Sequence, residues 1–270
     1  MIHGIFGKPF VDVAPHLGDD LAERLAEIDE EVCLGLAEVP TDYTGGSHRS
    51  MGIMPPSRVA EAHRDYGEVI ASMSDAHYAR LRSLADDPDS FPPIRDGVTF
   101  GEERDHLLSR RQMLWLEHRF GVYYPWKIYF EMIPNRSWDD KANPDGKEFT
   151  RLAKTFFPKT IAFVKRLPFS SIGRCNIMGL ASNDHGTVHR DGIPEEKPRV
   201  DHFVTLCPQR NKRLFLWDEE RQEKVHVKGS AYWFNDSDWH GVEADPFFRY
   251  SIRVDGTFQS DLLGALEAGR

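Results

Sequence analysis

Three residues in the last third of the chain have the types and spacing to hold a metal ion: His189 and Asp191, two positions apart, and His240 further on. On a β-strand, residues two apart point the same way, so His189 and Asp191 can grip one ion while a distant strand supplies His240. Two imidazoles and one carboxylate on one face suit a six-coordinate first-row ion such as Fe(II), with three positions left for oxygen and a co-substrate. The segment Arg249-Tyr250-Ser251-Ile252-Arg253 follows. If it is a strand, Arg249, Ser251 and Arg253 share a face, and an arginine offers a carboxylate a planar, permanently charged partner that lysine does not.

Such residues need a scaffold. From 171 onward, short β-branched and aromatic runs bounded by Gly and Pro predict strands near 173–180, 186–191, 201–207, 213–217, 223–228, 230–235 and 247–255. Turn residues such as Asp191-Gly192-Ile193-Pro194 and Lys228-Gly229 favour antiparallel connections, hence a β-sandwich or barrel. Upstream the texture is helical. Leu21, Leu25, Ile28, Val32 and Leu36 mark an amphipathic helix over 18–37, and further helices are expected at 57–85 and 104–119. The aromatic run 122–133 reads as a strand, with Pro125 placing its start near a sheet edge. Phe149, Leu152, Ala153, Phe156, Phe157 and Val164 form a last helical stripe that Pro158 either kinks or divides in two.

With 270 residues and 40% hydrophobic content, one domain with a substantial core is expected. A net charge of -9 without a basic run argues against nucleic acid as a partner. Cys33, Cys175 and Cys207 are too far apart for a zinc ribbon or redox pair, which suits a reducing cytoplasm. Neither a signal sequence nor a membrane-spanning run is seen, so a soluble cytoplasmic protein is expected.

The ordered elements from about 173 to 258 resemble the Fe(II)- and 2-oxoglutarate-dependent dioxygenases. They are the strand Cys175-Asn176-Ile177-Met178, the metal pair in Val188-His189-Arg190-Asp191-Gly192, the turn Lys228-Gly229 before Ala231-Tyr232-Trp233-Phe234, the distal histidine in Trp239-His240-Gly241-Val242, and a last strand with Arg-x-Ser. The resemblance implies an α+β fold: a double-stranded β-helix (jelly-roll, cupin-like) core over 121–258, with a mainly helical region over 1–120 packed on the larger sheet. It implies Fe(II) on His189, Asp191 and His240, dioxygen as oxidant, and 2-oxoglutarate held by Arg249 and Ser251. Arg253 is the alternative anchor, a contact to substrate, or one member of a structural ion pair. Related halogenases have Gly or Ala in place of Asp191, so the carboxylate points to hydroxylation, desaturation or ring closure.

The expected substrate is a small polar metabolite, such as a free or carrier-linked amino acid. A prolyl, aspartyl or asparaginyl side chain in a peptide is the alternative, because His240-Gly241-Val242 and Arg249-Tyr250-Ser251-Ile252 also resemble prolyl hydroxylases. A cupin-like metal or ligand sensor or storage protein is the non-enzymatic rival. Other candidates remain open at this level. His185 can replace Asp191 as a ligand, His202 can line the pocket, His48 and Arg49 can face a substrate, and Trp217, Trp233 and Trp239 can wall the cavity.

Overall fold

The computed structural model describes residues 1–41, 55, 57–58, 66–98, 100, 108–124, 126–135, 140–196, 199–208 and 212–269. His48, Arg49 and Pro125 lie outside them. Seven α-helices, a short 3-10 helix at Ala14–His16 and ten strands are assigned among the described residues. The helices are α1 (Leu21–Glu38), α2 (Tyr66–Ala71), α3 (Asp75–Ser83), α4 (Arg110–Phe120), α5 (Arg151–Phe156), α6 (Pro158–Val164) and α7 (Ser260–Ala268). The strands are β1 (Phe10–Asp12), β2 (Ile128–Ile133), β3 (Phe169–Leu180), β4 (Gly186–His189), β5 (Phe203–Leu206), β6 (Leu214–Asp218), β7 (Glu223–His226), β8 (Ala231–Phe234), β9 (His240–Val242) and β10 (Arg249–Phe258).

Local chemistry sets where the helices start and stop. The expected 57–85 helix is interrupted before Ser74, whose hydroxyl accepts from the His77 N–H and starts α3 afresh. Ser109 and Gln112 make a reciprocal capping box at the head of α4, and Gly121 ends it in the left-handed conformation. Pro158 starts a second helix rather than kinking one, since the first turn of α6 has no use for the missing N–H. Glu31 on α1 then accepts from the Lys159 and Thr160 N–H groups at 2.7 Å, capping α6 from a neighbouring helix.

The strands form two antiparallel sheets, one in the order β1-β8-β5-β10-β3-β2 and the other β4-β9-β6-β7. From β3 to β10 the chain crosses repeatedly from one sheet to the other, and apolar residues of both join one core. The outward face of the larger sheet is covered by α1, α5 and α6. Leu25, Ile28 and Val32 enter that core, and the Tyr250 hydroxyl of β10 donates to Asp29 of α1. Packing of the helical region on the larger sheet therefore holds for α1. Helices α2 to α4 instead close around a second apolar cluster of their own, including Tyr66, Tyr78, Leu81, Met113 and Leu116.

Gly35 is buried in α1, and a methyl group there would collide with the Phe157 ring. In an open helix Gly→Ala gains about 1 kcal/mol, whereas overpacking a core costs about 1–3 kcal/mol, so Gly35→Ala is expected to destabilise on balance. Chemical denaturation checks this; an increase in unfolding free energy would show that Phe157 yields freely.

Candidate metal centre

His189 closes β4 and pairs directly across the sheet with His240, the first residue of β9. Pairing across antiparallel strands brings the rings together, with centroids 4.4 Å apart. Asp191 lies two residues beyond the strand, in a bend, and its N–H donates to the Asp236 carbonyl at 2.8 Å. The His-x-Asp spacing delivers its carboxylate to the imidazoles through this bend rather than by strand alternation. One Asp191 oxygen lies 3.5 Å from His189 Nε2 and 4.0 Å from His240 Nε2. One ligand atom from each of the three falls within 4.8 Å of the others, the only such metal-type cluster among the described residues.

The far nitrogen of each ring is fixed. His189 Nδ1 lies 2.8 Å from the Thr187 carbonyl, and His240 Nδ1 lies 2.8 Å from the Asp238 carbonyl. A carbonyl only accepts, so each Nδ1 carries the proton and each Nε2 turns a lone pair toward the cluster. Burial would raise the Asp191 pKa, but His240 and His189, while they carry a second proton, together with Arg253 outweigh burial and lower the pKa below its ordinary value; ligation takes the rings in their neutral form. Two neutral imidazoles and an ionised carboxylate, without thiolate, fit a divalent ion such as Fe(II).

The second Asp191 oxygen faces Arg253 Nη1 at 3.6 Å. Arg253 is buried over the Phe203 ring and also pairs with Asp236 and Asp255 at 2.8 and 2.9 Å. Lys141 bridges Asp236 to Asp201, and Arg174 completes Asp255. The ion-pair reading of Arg253 is thus the one its surroundings display. Arg249 is also buried, and its five N–H groups face five backbone carbonyls: Lys212 from Nε, Asp245 and Phe247 from Nη1, Asp184 and Glu243 from Nη2. In this arrangement Arg249 ties three loops together, with its longest contacts the two 3.4 Å ones from Nη1.

Ser251, the inward residue between these arginines, accepts instead from Lys212 Nζ at 2.8 Å. Burial, with Arg253 and Arg249 nearby, pushes the Lys212 amine down to about 7, and the Trp126 ring lies 4.2 Å from it. Lys212 was not legible beforehand, because it is one base among Arg210, Lys212 and Arg213 in a loop with no periodicity.

The rival ligands have other employment. His185 stacks on Tyr123 with centroids 5.1 Å apart, and its backbone N–H donates to the Tyr123 hydroxyl. His202 stacks on Phe258 and accepts from its N–H at 3.2 Å. Trp233 belongs to the main core and donates to the Asp201 carbonyl. Trp217 and Trp239 pack with Val188 and Phe215, on the face of the smaller sheet away from the imidazoles. On β3, Asn176 Nδ2 donates to the Tyr129 hydroxyl at 2.8 Å, while its buried Oδ1 has no hydrogen-bond partner.

No known protein family's profile matches the chain, and no curated protein matches it by sequence. Solved structures resemble it slightly. One is an oxidoreductase of the 2OG-Fe(II) oxygenase family from Burkholderia pseudomallei, with 12% identity, a TM-score of 0.31, and 47% of this chain aligned to 66% of that one. A prolyl-4-hydroxylase from Pseudomonas putida has 9% identity and a TM-score of 0.28 over 50% of this chain and 74% of that one. A prolyl hydroxylase from Trichoplax adhaerens, in complex with a hypoxia inducible factor oxygen degradation domain peptide fragment, has 12% identity and a TM-score of 0.28 over the same shares, 50% and 74%. Those neighbours are oxygenases and hydroxylases. The chain spans just under two thirds of the first of them. At such scores the weight rests on the geometry of the site.

The folded-state pKa of Lys212, about 7, lies below its ordinary 10.5, so the unfolded chain holds more protons between those values. The penalty of burying this amine is therefore full below pH 7 and shrinks as pH rises toward 10.5. Lys212→Met is expected to raise the melting temperature, and to raise it more at pH 6 than at pH 9. Equal shifts at both values would show that the amine is not desolvated.

Proposed function

We infer that this chain is a non-heme Fe(II)- and 2-oxoglutarate-dependent dioxygenase that hydroxylates an unactivated C–H bond of a small polar metabolite, such as a free or carrier-linked amino acid. The observation that carries the reading is the His189, Asp191 and His240 cluster with both Nδ1 atoms tied to carbonyls. Two antiparallel sheets, with β4 and β9 paired in the smaller one, support a double-stranded β-helix core within a single domain. Free cysteines are consistent with a cytoplasmic location, and no helix among the described residues is long and apolar enough to cross a membrane.

His189, Asp191 and His240 would hold the iron. Bound there, ferrous iron would couple oxidative decarboxylation of 2-oxoglutarate by dioxygen to oxidation of a substrate C–H bond, giving succinate, carbon dioxide and a hydroxylated product. The protein's own part is positioning and charge. Arg253 keeps one Asp191 oxygen turned away from the imidazoles, leaving the other to face them. Phe234 packs edge-on against His240, with centroids 5.0 Å apart, and excludes water from that side.

For the distal carboxylate of the co-substrate we assign Lys212 and Ser251, with Arg249 as the brace behind them. Ser251 lies between Arg249 and Arg253 on the inward face of β10 with Lys212 Nζ 2.8 Å from its hydroxyl, so the amine and the hydroxyl can take one carboxylate together. A carboxylate would also restore the charge that burial takes from Lys212. The deep setting of the imidazoles favours a slender substrate over a broad peptide surface. Asp191 leaves no vacant ligand position for a halide.

With Fe(II), 2-oxoglutarate and oxygen, Asp191→Ala is expected to cut succinate release about 100-fold or more, beyond the 10- to 100-fold typical of partners behind the ligands. Undiminished release would remove Asp191 from the centre. Lys212→Met is expected to raise the 2-oxoglutarate concentration at half-maximal rate about 10-fold or more, as for loss of a hydrogen bond to a charged group. If Arg249→Met does so and Lys212→Met does not, the anchor is Arg249.

A further inference from the structure

The two metal histidines are oriented by the same device but held very differently. Thr187, whose carbonyl takes the His189 Nδ1 proton, lies within β4, so the sheet itself fixes that acceptor. Asp238, whose carbonyl takes the His240 Nδ1 proton, lies in the turn between β8 and β9, outside either strand. Its own N–H donates to the Asn235 carbonyl within the same turn at 2.9 Å, and its side chain supplies the longer-range anchorage. The Asp238 carboxylate is 2% exposed and takes three hydrogen bonds from the start of the chain. Its Oδ1 accepts from the His3 N–H at 2.8 Å and meets His3 Nδ1 at 2.9 Å, while Oδ2 accepts from the Gly4 N–H at 2.8 Å.

The donor segment is itself rigid. Gly4 has φ +65, and a Cβ there would strike the Lys8 carbonyl, so only glycine fits. Ile5 and Lys8 then exchange two backbone hydrogen bonds of 2.8 and 2.9 Å, and β1 continues alongside β8, pairing Phe10 with Phe234. One end of this element is thus anchored in the larger sheet next to β8, and the other grips the turn that follows β8. That turn also orients the second ligand, since the Asp236 carbonyl accepts from the Asp191 N–H.

We propose that Asp238 and the His3-Gly4 segment form a positioning clamp for the distal metal ligand, in which the N-terminal segment sets the orientation of the His240 imidazole through Asp238. The proposal rests on the metal-centre reading of His189, Asp191 and His240. Removing the clamp frees the Asp238 carbonyl, so His240 loses its fixed tautomer and aim while remaining in place.

The test uses the full-length chain and Co(II) alone, with metal affinity and the ligand-field absorption as readouts. Asp238→Ala is expected to weaken Co(II) binding roughly 10- to 100-fold and to change the absorption. Asp238→Asn keeps the shape but turns an amide NH2 against one of the backbone donors; it gives a smaller change in the same direction and serves if the alanine variant does not fold. In a His240→Ala background the Asp238 substitution is expected to cost nothing further, because its effect runs through that ring. Unchanged affinity and spectrum in the Asp238 variants, or an equal loss with and without His240, overturns the clamp alone. A wild-type chain that takes up no Co(II) overturns the metal centre, and the clamp with it.

Discussion

Two hydrogen bonds, His189 Nδ1 to the Thr187 carbonyl and His240 Nδ1 to the Asp238 carbonyl, are the constraint on which the site depends. A histidine ring unbound at its far nitrogen can present either nitrogen and rotate about two torsions, so a pair of them seldom converges. Here each acceptor lies two residues before its histidine, which commits both Nε2 atoms to one point. The direct pairing of His189 with His240 supplies the distance, the carbonyls supply the direction, and the bend after β4 brings Asp191 to the same place.

Around that point the interior holds more charge than an ordinary core. Arg253 is shared by Asp191, Asp236 and Asp255, and Lys141 and Arg174 close the network, so nearly every buried charge there has an opposite neighbour. Such networks contribute little net stability, because desolvation offsets attraction, but breaking one member is costly. Their effect is to fix geometry. Lys212 departs from this balance, with a hydroxyl and an indole as its near neighbours and two arginines to repel its proton.

The clustering of His189, Asp191 and His240 was legible because type and order are written in the chain, and the strand texture from 171 onward predicted the sheets with small errors at their ends. One short strand escaped: Phe10–Asp12 is three residues, too short for alternation to register, whereas the strand expected to supply His240 is the three residues His240–Val242. The helix at Ser260–Ala268 was missed as well, being nine residues that bury only Leu262 and Leu266, too little of a stripe to register. Arg249 and Arg253 could not be told apart from sequence, since both face inward from β10; what separates them is which loops approach, and that is a property of the fold. Lys212 and the His3–Asp238 contact join residues remote in the chain, where no local pattern exists to read.

The most direct test of the central claim is an anaerobic titration of the metal-free protein with Fe(II) and 2-oxoglutarate, followed by visible absorption. A weak charge-transfer band that appears only with both components, and not in the His240→Ala protein, is the predicted result. Iron bound tightly without such a band would contradict the oxygenase reading and leave a metal-binding or sensing protein in its place.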